Sequence, residues 1–296
     1  MAEIKRIPPR VAAIHDLSCF GRCALTVIMP TLSALGAQVI PVPTALLSSH
    51  TGGFTDLYFR DLSSDIDEIA AHFDRLDLSF SAIYSGFLGS EAQIEKVERL
   101  IDRFGGEGVP VLVDPVMADD GELYSTYTKE LVEGMKRLCY KADILTPNYT
   151  EACILTDTPY KAPETLGENE AIELGKTLLQ KLTVFGAKRV VITGIPSGDD
   201  LLIFGQSEEG GICHREPLLH VGYPGTGDLF ASVRLGLLLD GNSFENALTG
   251  AAEITTIAIE KTLHAETPVR DGVVLEHCMY EMFAIKTNLK RAQYKR

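Results

Sequence analysis

Short apolar runs of β type alternate along this chain with longer stretches of helical periodicity. The runs VAAIH (11–15), QVIPVPT (38–44), SAIYSG (81–86), VPVLVDP (109–115), ADILTPN (142–148) and KRVVITG (188–194) are rich in β-branched residues and bounded by turn formers, which predicts six strands. Between them, apolar residues at three- and four-residue spacing predict helices near 22–36, 64–75, 90–105, 127–140 and 168–184. Pro30 inside the first is expected to kink or shorten it. Strands whose runs are apolar throughout, each followed by a helix, imply an α/β fold: a mostly parallel sheet with helices on both faces.

The rhythm changes after the sixth strand. LLIFG and GICHREPLL, separated by the turn-like QSEEGG, predict a hairpin that extends the sheet with an antiparallel edge. The last third returns to helix near 227–240, 243–263 and 273–288. No linker, repeat or low-complexity tract interrupts the 296 residues, so one domain over 1–296 is expected.

Composition narrows the partners. With 45% hydrophobic and 23% charged residues the chain falls in the ordinary globular range. A formal net charge of −14 opposes the non-specific attraction to phosphate backbones and anionic lipid, so no nucleic-acid or membrane partner is expected. ATP remains open, because backbone N–H groups and Mg²⁺ act locally whatever the global charge. Cys19, Cys23, Cys139, Cys153, Cys213 and Cys278 form no CxxC pair and are expected as reduced thiols. MAEIKRIPPR lacks the apolar segment of a secretory leader, and no later apolar run approaches the ~20 residues of a membrane span. Together these features fit a reducing, cytoplasmic setting.

Ligands of open α/β sheets bind beyond the carboxyl ends of the strands. Four predicted strands end there in polar groups: His15-Asp16, Asp114-Pro115, Thr146-Pro147-Asn148 and Thr193-Gly194. The sharpest motif is Tyr223-Pro224-Gly225-Thr226-Gly227-Asp228, directly ahead of an apolar-periodic helix. Two glycines permit a tight turn and leave N–H groups at a helix start, where the macrodipole favours an anion. Asp228 is placed to accept a proton from a hydroxyl beside that cradle, or simply to cap the helix. Asn148 and Glu151 share one face of a helix start and could hold Mg²⁺ directly or through water, although Pro-Asn-x-x-Glu is also a capping pattern. His50, in Ser48-Ser49-His50-Thr51-Gly52-Gly53, is a loop position open to a ligand contact; a lone loop histidine is more often solvated.

Other motifs lose their support. Gly175-Lys176-Thr177 ends like a phosphate-binding P-loop, but Glu170 replaces its first glycine and no strand precedes it, which leaves a structural role within a helix. No G-x-G-x-x-G follows the first strand, and neither H-E-x-x-H nor G-x-S-x-G occurs.

Six segments in order resemble the ribokinase-like superfamily and, within it, the pyridoxal/pyridoxamine kinases. They are Ile14-His15-Asp16-Leu17-Ser18-Cys19-Phe20-Gly21, Ser49-His50-Thr51-Gly52, Ser85-Gly86-Phe87-Leu88-Gly89-Ser90, Asp114-Pro115-Val116-Met117, Thr146-Pro147-Asn148 with Glu151, and Gly225-Thr226-Gly227-Asp228. The resemblance covers nearly the whole chain. It implies a three-layer α/β/α sandwich, usually a homodimer, that transfers the γ-phosphate of ATP to the 5′-hydroxymethyl group of a B6 vitamer. It further implies Asp228 as catalytic base and Gly225, Thr226 and Gly227 as an anion hole. Asp16, Ser18, His50 and Thr51 would lie at the vitamer. Asp114, Thr146, Glu151 and Thr193 would lie at ATP, with Glu151 and Asp114 near Mg²⁺; a monovalent cation is an open addition.

Two positions depart from the pattern. Asp16 stands where many members of the family have Ser and where hydroxymethylpyrimidine kinases have Asp, and Ala118-Asp119-Asp120-Gly121 stands where Gly-Asp is commoner. A hydroxymethylpyrimidine or hydroxymethylpyrimidine-phosphate kinase is therefore the alternative enzyme. A non-catalytic pyridoxal-phosphate carrier would need no base such as Asp228. A sugar kinase would need a lid for which residues 16–60 are too short.

Overall fold

A computed structural model describes residues 7–293; residues 1–6, the start of the stretch taken above to lack a leader, lie outside the described residues. The chain runs β1 (Arg10–Phe20), α1 (Leu25–Ala34), β2 (Gln38–Ser49), β3 (Phe59–Asp61), α2 (Ser63–Arg75), β4 (Ala82–Ser85), α3 (Glu91–Phe104) and β5 (Val111–Val113). It continues through β6 (Ala118–Asp119), β7 (Glu122–Leu123), α4 (Lys129–Cys139), β8 (Ile144–Leu145), α5 (Tyr149–Leu155) and α6 (Glu168–Leu182). It ends with β9 (Arg189–Ser197), β10 (Asp200–Ser207), β11 (Gly210–Pro217), α7 (Thr226–Leu239), α8 (Phe244–Ala265) and α9 (Met279–Gln293).

Nine strands form one sheet in the order β11-β10-β9-β8-β5-β4-β1-β2-β3. β2, β1, β4, β5, β8 and β9 are mutually parallel, while the β10–β11 hairpin and β3 are antiparallel edges. Alternation along β1 shows how the layers are filled. Ala12 and Ile14 enter the core under α2–α6, whereas Val11 and Ala13 enter the core under α1 and α7. Helices thus cover both faces, as the apolar runs required.

Four features differ from the sequence-based expectation. β1 and β2 extend to 11 and 12 residues, well beyond their apolar runs, and pair over most of that length. β3 and the small β6–β7 ribbon were not predicted; all three β3 residues are exposed, and a strand without a buried face has no alternation to betray it. Helix 273–288 begins only at Met279, after two 3₁₀ turns at 269–271 and 275–278. Pro30 lies inside α1, which spans 25–34 against the predicted 22–36.

Candidate active site at the carboxyl ends of the strands

Register across the sheet aligns Ile14 with Ser85, Ser85 with Val113, and Val113 with Leu145. The residues one step further along therefore form a row at the strand ends. Asp114 N–H donates to Ser85 O (2.8 Å), Thr146 N–H to Val113 O (3.2 Å) and Thr193 N–H to Pro147 O (3.0 Å). Asp16, Asp114 and Thr146 are buried, and Thr193 is half-buried.

The glycine turn closes this row from the side of α7. Gly225 caps α7 in the left-handed region (φ 85°), and a Cβ there would collide with the carbonyl oxygen of Arg22. Leu229 N–H makes the first bond of the helix, to Gly225 O at 2.9 Å, so the N–H groups of Gly227 and Asp228 fall in the unpaired first turn. Those two groups and the dipole behind them make a cradle for an anion. Asp228, the third residue of α7, does not serve as its cap. Its Oδ2 accepts the N–H of Ala24 at 2.8 Å, across 204 residues of chain.

Four carboxyl groups are buried here, with Asp228 close enough to Asp16 and Asp114, and Asp114 to Glu151, for their charges to interact. Burial pushes Asp228 up to about 7, with Asp16 adding to the shift and the Ala24 N–H and Cys23 thiol opposing it. Asp114 is raised well above the usual range, first by burial and then by Glu151 and Asp228. Asp16 is also raised by burial, against the Ser18 hydroxyl, which donates to its Oδ2 at 2.9 Å. Burial raises Glu151 as well, against the backbone N–H groups it accepts.

Glu151 has a structural role in addition to any role at a metal. Asn148 and Glu151 form a reciprocal capping box: Asn148 Oδ1 accepts Glu151 N–H (2.8 Å) and Glu151 Oε2 accepts Asn148 N–H (2.8 Å). Asn148 Nδ2 donates to Ala118 O (2.7 Å), a second bond that ties this side chain into the fold. Glu151 Oε1 accepts Met117 N–H at 3.1 Å, and the backbone of Ala118 adds a further hydrogen bond to this carboxyl. Asp114 contrasts with it: among the described residues no donor offsets its burial. Asp114 and Glu151 are the neighbouring buried carboxyl groups that could serve a hard cation, directly or through water. Among the described residues there is no ready group of three or more His, Cys, Asp or Glu side chains around a common metal position.

His50, expected at the acceptor with solvation as the plainer alternative, is not solvated. It is buried, Nδ1 accepts Gly52 N–H (3.1 Å), and Nε2 donates to Arg270 O (2.7 Å), which places the ring proton on Nε2. Thr51 beside it is exposed. His15, next to Asp16, points away into the core: burial lowers it to about 3, so it stays neutral, edge-on to Tyr84 with ring centroids 4.4 Å apart. Gly175-Lys176-Thr177 lies within α6, where Gly175 makes room for the Phe204 ring and Lys176 pairs with Glu173.

Sequence reasoning missed the loop 21–24 and the segment 270–276. Arg22 N–H donates to Asp271 O (3.0 Å), its guanidinium meets Glu276 (2.9 Å), and Val273 N–H donates to Pro224 O (3.0 Å). These contacts clamp the glycine turn from both sides. Their partners lie up to 254 residues apart, and no local pattern signals them.

The model of a family described as phosphomethylpyrimidine kinase matches residues 12–271. A pyridoxal kinase from Arabidopsis thaliana is 30% identical over 249 residues, which are 78% of this chain and 74% of that protein. A hydroxymethylpyrimidine/phosphomethylpyrimidine kinase from Bacillus subtilis is 29% identical over 263 residues, 87% of each. A crystal structure from Bacteroides thetaiotaomicron, a phosphomethylpyrimidine kinase-type protein in an orthorhombic form with pyridoxal, superposes with a TM-score of 0.86 at 37% identity, covering 93% of this chain and 96% of that one.

Proposed function

The chain belongs to the phosphomethylpyrimidine kinase family, and from that membership we propose that it phosphorylates the 5′-hydroxymethyl group of a B6 vitamer at the expense of ATP. It is a phosphotransferase with an alcohol group as acceptor, on a ribokinase-like α/β fold. One observation carries the choice of acceptor: the 37% identical structure, which spans nearly the whole chain, holds pyridoxal.

In this reading Asp228 accepts the proton of the acceptor hydroxyl. One carboxyl oxygen is held by Ala24 N–H, which leaves the other to face the substrate. The free N–H groups of Gly227 and Asp228, with Thr226 beside them, receive the equatorial oxygens of the moving phosphoryl group. Asp16, Ser18, His50 and Thr51 line the acceptor side, and Thr146 and Thr193 the nucleotide side. Mg²⁺, held by Asp114 and through water by Glu151, would neutralise phosphate charge. The same proposal takes 1–296 as one kinase domain acting as a homodimer in a reducing cytoplasm. Six free cysteines support that setting, and no helix among the described residues is long and apolar enough to cross a membrane.

The test is an ADP-release assay with pyridoxal, pyridoxamine, pyridoxine, hydroxymethylpyrimidine and ribose in parallel. A B6 vitamer should give the highest kcat/KM. Asp16 and the Bacillus subtilis relative favour the second reading, and a higher kcat/KM on hydroxymethylpyrimidine would establish it.

A further inference from the structure

Ala24 sits at φ 50° and ψ −129°, an alanine in a conformation that favours glycine. Thr26 N–H donates to Cys23 O at 3.2 Å, so residues 23–26 form a turn whose first central position has type II′ angles. A strained non-glycine residue persists only where its surroundings over-determine it. Here they do. Ahead of the turn, Arg22 is tied to Asp271 and Glu276, and its carbonyl rests against both Gly225 and Gly272, neither of which has room for a Cβ. Behind it, Ala24 O accepts Ile28 N–H (2.9 Å) at the start of α1.

The strained angles decide where one N–H points. Ala24 N–H donates to Oδ2 of Asp228 at 2.8 Å, and the Cys23 thiol flanks the same carboxyl. A carboxylate on the first turn of a helix is otherwise free to rotate about χ1 and χ2. From this geometry we infer that the Cys23–Thr26 turn is a positioning device for the catalytic base: the strained Ala24 amide fixes one oxygen of Asp228 so that the other meets the acceptor hydroxyl. The inference rests on Asp228 being the base. It adds to that reading a residue that acts only through its backbone, and it explains why the turn keeps strain that a glycine would relieve: Cβ at position 24 restricts the turn and keeps the N–H aimed.

Replacing alanine 24 by lactic acid through nonsense suppression turns its amide into an ester and removes this single donor. With pyridoxal, ATP and Mg²⁺, kcat should fall about tenfold or more, the usual loss for a hydrogen bond to a charged group, while KM for ATP changes less than about twofold. In an Asp228→Asn background the same ester should lower the residual rate no further, because the base it positions is gone. Ala24→Gly keeps the N–H and relieves the strain; Tm should rise by roughly 2–4 °C while kcat falls about threefold or more. An ester protein with wild-type kcat, or one whose loss is equally large with Asp228→Asn, overturns the inference. So does an Ala24→Gly variant unchanged in both Tm and kcat, and that variant decides the matter if the ester protein fails to fold. If Asp228→Asn itself keeps wild-type kcat, the base reading falls and this inference with it; if Asp228→Asn is inactive and the ester is not impaired, the inference alone falls.

Discussion

Nε2 of His50 stands 2.7 Å from the carbonyl oxygen of Arg270, a bond that ties the loop after β2 to the segment before α9 across 220 residues. The ring also fills the space above Gly21, where a Cβ would strike its Cδ2 and Nε2, and it packs edge-on to Phe54 with centroids 5.1 Å apart. One buried imidazole thus sets the distance between the loop after β2 and the loop that carries the Ala24 turn. His50→Ala removes both hydrogen bonds and the ring. It should raise KM for the vitamer roughly tenfold, as expected when a substrate loop loses its anchor, and leave KM for ATP unchanged. Steady-state kinetics with each substrate varied in turn checks this split; equal increases in both KM values would indicate a general loss of structure.

Gly225 combines a left-handed backbone, φ 85°, with contact against Arg22 O. Gly225→Ala asks the turn to tolerate both an unfavourable φ and a collision with backbone that cannot rotate away. Stability should drop by about 2 kcal/mol or more, and kcat should fall with it because the cradle opens. Gly227→Ala is the contrast. Outside its own turn of helix no atom lies within 4 Å of a Cβ at 227, so that variant should keep its Tm, measured by thermal unfolding.

Asp228→Asn should preserve the fold and lower kcat by about 10²–10⁴-fold, the usual contribution of a general base. Retention of more than about a third of wild-type kcat at saturation would remove Asp228 from that role. Stability supplies an independent sign. The folded carboxyl titrates near 7 and an unfolded one near 4, so between those values the native state binds more protons. Stability of the free protein therefore falls as pH rises through this window, and the full cost of the buried charge is present above it. Asparagine escapes that cost. The Tm advantage of Asp228→Asn over the wild type should be small at pH ~4, grow toward pH ~7 and then level off.

Glu151→Gln keeps size and removes charge, but the capping box makes it more than a metal test. Both carboxyl oxygens accept backbone N–H groups, from Asn148 and Met117, and a glutamine amide nitrogen would face one of those donors. A buried N–H without an acceptor costs about 1–3 kcal/mol, so Tm should drop by a few degrees. If Glu151 also reaches Mg²⁺ through water, the Mg²⁺ concentration for half-maximal activity should rise as well. A lower Tm with an unchanged Mg²⁺ titration would assign Glu151 to the cap alone.

Much of this protein was legible before folding. The apolar runs at 11–15, 81–86, 109–115, 142–148 and 188–194 all became β strands, because a strand buried on both faces must be apolar throughout. The turn Gly225-Thr226-Gly227-Asp228 was legible for a similar reason: the glycines that permit a left-handed cap and leave N–H groups free are adjacent in sequence. Asn148 and Glu151 were also visible, but whether they capped a helix or held a metal was not, since both uses call for the same two side chains at the same spacing.

Only the tertiary structure decided what reached Asp228. Its Oδ2 is held by the amide of Ala24, and an alanine N–H carries no side-chain signature; the bond exists because Arg22, Gly225 and Gly272 come into contact from three parts of the chain. His50 and Arg270 met in the same way, and so did the carboxyl groups of Asp16, Asp114, Glu151 and Asp228, all raised first by burial, with neighbouring carboxylates adding to the shift at Asp114 and Asp228. Periodicity and turn chemistry act over a few residues and are written in order along the chain. Burial, through-space charge and long-range hydrogen bonds depend on which distant segments share one edge of the sheet, and only the folded chain brings them together.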